Sequence, residues 1–155
     1  MKRGLTLEIP NKYGSLLGEV LKPIDITTFN WCIGGGESYK VVDNQLDEGL
    51  FPVGKDIIEG VELKNLLENN EYYLIFADLK AYPNDDEFFY IKNYEDFMLS
   101  NCEIVLLVVD SSFIEIYCKN QEVIELLYKN AIECRFENIK YITDEIDPQK
   151  SLIAF

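Results

Sequence analysis

The side chains of this chain that could do chemistry are mainly carboxylates and tyrosines. Asp78-Leu79-Lys80 has the D-x-K form found in metal-dependent nucleases, and Glu62-Leu63-Lys64 is the related E-x-K triplet. A nuclease also needs a further carboxylate from a neighbouring strand and a basic groove for its substrate. The 155 residues include 28 acidic and 14 basic side chains, a formal charge of -14 at pH 7, which leaves little to build such a groove from. The same surplus argues against a nucleic-acid partner in general. There is no histidine. Ser-His-Asp and Cys-His nucleophiles, zincin helices and histidine proton shuttles are therefore excluded.

Two acidic stretches invite a metal reading. Asp43-Asn44-Gln45-Leu46-Asp47-Glu48-Gly49 resembles the start of an EF-hand loop, but its glycine falls one place late and no bidentate Glu follows in register. Asn84-Asp85-Asp86-Glu87 reads as a solvated turn. The four cysteines, Cys32, Cys102, Cys118 and Cys134, form no C-x-x-C pair and read as reduced thiols, mostly buried. Gly34-Gly35-Gly36 lacks the spacing of either common phosphate-binding loop and runs into a second β-rich stretch, so a hairpin is expected there. No catalytic residue, metal ligand or cofactor is assigned from these patterns.

The elements that must carry these residues follow from periodicity. Leu5, Leu7 and Ile9 alternate and predict a first strand. Asn11 is expected to cap a helix running to about Lys22, where Pro23 ends it, with Gly14 and Gly18 on one face for close packing. Phe29–Ile33 and Tyr39–Val42 are expected to pair across the glycines. From Asp43 to about Glu59 the pattern weakens into one long irregular connection, the place to expect a functional loop. A short helix follows over 61–68, then a long strand over 72–82, a short strand over 88–91, and a helical turn capped by Asn93.

The C-terminal third is the clearest. Residues 103–110 form a near-continuous apolar strand, which predicts cover on both faces. Residues 113–118 alternate, Asn120 caps a helix reaching about Cys134, and 136–143 form a last strand followed by a tail. Strands and helices mix without regular βα alternation. An α+β fold is expected: one domain over 1–155, with a mostly antiparallel or mixed sheet and three to four helices packed on one face. The longest apolar run, residues 104–109, is far too short for a membrane helix, and the basic N-terminus lacks a signal-peptide core. A soluble cytoplasmic protein is expected.

The opening Met1-Lys2-Arg3-Gly4-Leu5-Thr6-Leu7-Glu8-Ile9-Pro10-Asn11-Lys12-Tyr13-Gly14, followed by Phe29-Asn30-Trp31, resembles a small family of uncharacterised proteins from Bacillus-like bacteria, a domain of unknown function. The resemblance implies a bacterial cytosolic protein and carries no catalytic residues across.

Function is therefore expected from the surface. Ten Tyr and nine Phe among so many carboxylates suit a basic partner protein, as in an immunity protein facing a toxin. The candidate interaction surface is Tyr39, Asp47, Glu48, Asp85, Asp86, Glu87 and Phe89. The alternative is an enzyme or small-ligand binder, with or without a divalent metal, using carboxylates and tyrosines around the 43–59 loop, in which Asp78 or Asp110 would matter.

Overall fold

The computed structural model describes residues 1–83, 87–145 and 147–154. The chain forms β1 (Gly4–Glu8), α1 (Leu16–Val20), a 3₁₀ turn (Ile26–Thr28), β2 (Phe29–Ile33), β3 (Glu37–Val42), β4 (Gln45–Gly49) and β5 (Ile57–Glu59). It continues through α2 (Gly60–Glu68), β6 (Tyr72–Pro83), α3 (Tyr94–Leu99), β7 (Ile104–Val109), β8 (Phe113–Cys118), α4 (Gln121–Glu133) and β9 (Glu137–Ile142). The fold is α+β. The strands join one sheet in the order β4-β3-β6-β7-β8-β1-β9, with β2 on β6 and β5 on β2, every pair antiparallel.

The apolar run 104–109 behaves as its composition requires. Ile104, Leu106 and Val108 point into the larger core, while Val105 and Leu107 point into a second one on the opposite face. The larger core takes the inward residues of α1, α2 and α4. The second takes Tyr94 and Phe97 of α3, together with Leu152 and Ala154 near the C-terminus. The strand is covered on both faces, as its composition predicts; the packing of all helices on one face is corrected, because α3 lies on the other. The C-terminal segment is likewise no loose tail. Leu152 N–H donates to the Lys92 carbonyl at 2.9 Å and its side chain is fully buried.

Local capping accounts for the helices that form where the sequence places them. Asn120 accepts from the backbone N–H groups of Glu122 and Val123 at the start of α4. Asn93 accepts from Asp96 N–H while Asp96 accepts from Lys92 N–H, a reciprocal cap that fixes α3. The first helix is shorter than expected. Asn11 caps nothing; its side-chain oxygen accepts from the Tyr73 hydroxyl at 2.7 Å. Gly14 lies outside the helix and makes an isolated antiparallel bridge to Tyr72, which removes the shared helical face with Gly18. Gly18 does allow close packing, since a Cβ there would stand 2.9 Å from the Leu67 carbonyl oxygen.

Three strand expectations are also corrected. β2 and β3 do not pair with each other; both lie along the same edge of β6, β2 against 79–83 and β3 against 72–76. The glycines join them as an irregularity in one long ladder. The supposed irregular connection contains β4, turned back on β3 through Asp43 and Asn44, both at positive φ (52° and 61°), the geometry of a tight two-residue hairpin. It also contains β5, which pairs with β2. Finally, residues 88–91 form no strand. They cross the second face, with Ile91 buried and Phe88 packed on that core.

Candidate ligand-binding site

β6 carries the site because its side chains alternate between the two cores. Leu79 and Ala81 face the larger core, which turns Asp78, Lys80 and Tyr82 toward the second face. The D-x-K triplet therefore becomes a pair of neighbours on one surface. Lys80 Nζ donates to Asp78 Oδ1 at 2.6 Å, with the two side chains only 9% and 3% exposed. Asp78 Oδ2 takes a long contact, 3.4 Å, from the Ala154 N–H. Cys32 of β2 lies directly across from Lys80 in the ladder.

The glycine segment makes room for this pair. A Cβ on Gly34 would fall 2.7 Å from the Asp78 carboxyl carbon, and one on Gly36 would fall 2.6 Å from the Phe76 carbonyl oxygen. Gly34 N–H meanwhile donates to the Asp78 carbonyl at 2.8 Å, so the ladder is held at the point where side chains would have pushed it apart.

Two cavities open on either side of Asp78 and share Gly34, Asp56 and Asp78 as lining. One, about 350 Å³, is walled by Cys32, Lys80, Tyr82 and the segment Phe88–Ile91. The other, about 310 Å³, lies by Glu37, Tyr39, Phe51, Lys55 and Phe76. Both volumes fall in the range of small-molecule sites. Tyr82 is buried and donates its hydroxyl to the Phe89 carbonyl at 2.6 Å, and its ring meets Phe88 edge-on at 4.9 Å. Burial raises the Cys32 thiol pKa, an effect that the charges of Asp78 and Asp56 reinforce and that of Lys80 opposes. The thiol therefore stands in the cavity as a neutral group at pH 7.

The candidate residues named from sequence are divided among several places. Tyr39 lines the smaller cavity and donates to Glu37 Oε2 at 2.8 Å, a bond that raises its own pKa. Phe89 lines the larger one. Asp47 and Glu48 line neither; they lie on the exposed outer strand β4, where Glu48 pairs with Lys40 at 3.2 Å. Glu87 is exposed, and its carbonyl accepts from the Asn101 side chain. Asp85 and Asp86 lie outside the described residues. Asp110 sits in the β7–β8 turn with φ 50° and lines neither cavity. Lys80 and Cys32 were missed as lining residues, though the D-x-K spacing carried the signal for Lys80.

Among the described residues no group of three or more Cys, Asp or Glu is arranged to hold a metal ion. No helix among them is long and apolar enough to cross a membrane. The four cysteines form no disulfides.

A family model described as "Protein of unknown function (DUF2691)" matches residues 2–153. A relative from Bacillus subtilis (strain 168), "Uncharacterized protein YncE", is 43% identical over 152 residues, covering 98% of this chain and 99% of that one. No solved structure matches.

Proposed function

We propose that this chain, which belongs to the DUF2691 family of proteins of unknown function, binds a small polar ligand in the groove centred on Asp78 and Lys80. One observation carries the reading: a buried ammonium–carboxylate pair stands where two cavities meet. Taking two charges out of water costs several kcal/mol per ion, and a well-packed apolar pair of similar volume is often at least as stable. Structural need alone therefore gives little reason to put this pair at an opening. A ligand that hydrogen-bonds both groups gives one. The test is a thermal-shift panel of polar metabolites and divalent metals. Binding should raise the melting temperature as ligand concentration passes the Kd, and amide resonances of Gly34, Gly35 and Asp78 should move. If the melting temperature and those resonances ignore the whole panel, the reading fails.

A second reading rests on β4. All five of its residues are exposed, and its outer edge pairs with nothing among the described residues. It carries Asp47 and Glu48, and the Asp43–Asn44 turn adjoins it. A basic extended segment of a cytoplasmic partner protein would find there both backbone groups and opposite charge. The charges also discourage two copies from pairing edge to edge. A Lys-rich extended peptide should bind at low salt and be released as ionic strength rises, and D47K/E48K should abolish its binding. Binding insensitive to both salt and those substitutions removes this reading.

A further inference from the structure

Resting on the ligand-binding reading above, we infer that the ligand of the larger cavity is a planar heterocycle whose edge carries an N–H donor beside a C=O acceptor, the edge of a lactam or cyclic imide. A carboxylate only accepts hydrogen bonds and an ammonium only donates them. Among the described residues Lys80 Nζ bonds only to Asp78 Oδ1, which leaves two of its three protons without a protein acceptor. Asp78 Oδ2 has only the long contact from Ala154. Lys80 Nζ and the Asp78 carboxylate, whose Oδ1 is 2.6 Å from Nζ, thus stand side by side as donor and acceptor with capacity left. In an amide unit the nitrogen and oxygen are about 2.2 Å apart by standard bond lengths, so one such edge can face two adjacent groups at once.

Charge selects the same edge. A carboxylate ligand meeting Lys80 would also meet Asp78, with Asp56 on the same wall. An ammonium ligand meeting Asp78 would also meet Lys80. Either ion gains one attraction and suffers one repulsion of similar size, because the opposed charges are only 2.6 Å apart. A neutral donor–acceptor edge satisfies both groups and opposes neither. Cys32, kept protonated, adds no further charge.

The walls favour a ring. Phe88, Phe89 and Tyr90 line this cavity, and Phe89 and Tyr90 remain 50% and 77% exposed although they belong to the same segment that buries Ile91. Exposed aromatic faces beside a polar floor suit a flat ring presented edge-first to Asp78 and Lys80. Gly34 and Gly35 contribute lining without side chains. A cavity of about 350 Å³ has room for one or two fused rings.

The test titrates the wild-type protein with four probes, uracil, 1,3-dimethyluracil, benzoate and benzylamine, followed by amide resonances of the chain. Uracil should perturb Cys32, Gly34, Asp78 and Lys80. Its dimethyl analogue, which keeps ring and carbonyls but loses both N–H donors, should bind at least about tenfold more weakly, the consequence of one unmade hydrogen bond to a charged group. F89A, at an exposed position that leaves the core intact, should weaken uracil several-fold. Equal binding of uracil and dimethyluracil overturns the proposal. Benzoate or benzylamine moving these resonances while uracil does not also overturns it, yet leaves the ligand-binding reading standing. Silence with all four probes overturns the heterocycle, and the metabolite panel then decides whether the binding reading fails with it.

Discussion

Gly34 stands so close to Asp78 that a methyl group cannot be added there without displacing the carboxylate: the Cβ would lie 2.7 Å from the carboxyl carbon. Gly36 is tighter in kind, because its Cβ would meet the Phe76 carbonyl of β6 at 2.6 Å. The first obstacle is a side chain and the second is backbone. Gly34→Ala should be tolerated by a shift of the Asp78 carboxylate, at about 1–2 kcal/mol, whereas Gly36→Ala must part the ladder and should cost about 3 kcal/mol or more. Urea unfolding of the two variants checks the order. Equal losses would mean that β6 itself yields at both places.

The Asp78–Lys80 pair should show the asymmetry of buried charges. Asp78→Asn or Lys80→Met alone leaves the other group in a site that excludes most water, and should cost about 3–5 kcal/mol. The double change Asp78→Leu with Lys80→Met removes both charges and should recover most of that loss. The coupling free energy from the four proteins is the measurement. A double variant as unstable as the sum of the singles would give zero coupling and show that the two side chains act independently, not as a charge pair.

Alkaline pH should destabilise the protein from about pH 9 upward. Burial pushes the Cys102 thiol to about 12 and the Cys118 thiol to about 11, from an ordinary value of 9.0. Burial also raises the Tyr72, Tyr82 and Tyr117 hydroxyls above their usual 10.0. Above pH 9 the unfolded chain releases these protons while the folded chain keeps them, so the folded state binds more protons and stability falls as pH rises. Each such group contributes up to about 1.4 kcal/mol per pH unit between its unfolded and folded values. Urea midpoints between pH 8 and 11 should decline, and Cys102→Ala should flatten the slope. A midpoint unchanged to pH 11 would contradict the burial of these groups.

What the sequence made legible follows from how locally each feature is specified. The strand at 104–109 and the capped helix at 121–133 are written in contiguous residues: an unbroken apolar run in one, and Asn120 before a 3.6-residue period in the other. The Gly34–Gly36 segment was misread because a hairpin and an irregularity in a long ladder have the same local composition. Only the partner strand distinguishes them, and β6 lies some forty residues further on. β4 was missed because an edge strand exposed on all five residues has no apolar face to alternate. Its signal was the Asp43–Asn44 pair, both residues able to adopt positive φ. At the site, the D-x-K spacing placed Asp78 and Lys80 on one face, but what lies over them comes from residues 88–91 and from Ile153 and Ala154, which the local pattern does not reveal. The candidate acidic residues were chosen by type alone, and charge type says nothing of which cavity a side chain reaches.

The C-terminal segment should prove as important to stability as a helix. Leu152 is fully buried against the second core with Tyr94, Phe97 and Leu107, the face on which Asp78 and Lys80 also lie. Its backbone is held by Leu152 N–H to the Lys92 carbonyl, and by Tyr94 N–H to the Lys150 carbonyl at 3.1 Å. Leu152→Ala removes three buried heavy atoms from a core with few other contributors, so the cavity it leaves has little to collapse around it. A cost of about 2–4 kcal/mol follows from comparable core truncations. Because Val105 and Leu107 share β7 with residues of the larger core, the loss should appear as a lower midpoint of one cooperative transition. Amide exchange should rise most at the start of α3 and around Asp78 in the middle of β6, where residues 150–154 make their contacts. A variant that unfolds at the wild-type urea midpoint, with unchanged exchange there, would show that the segment only lies on the surface.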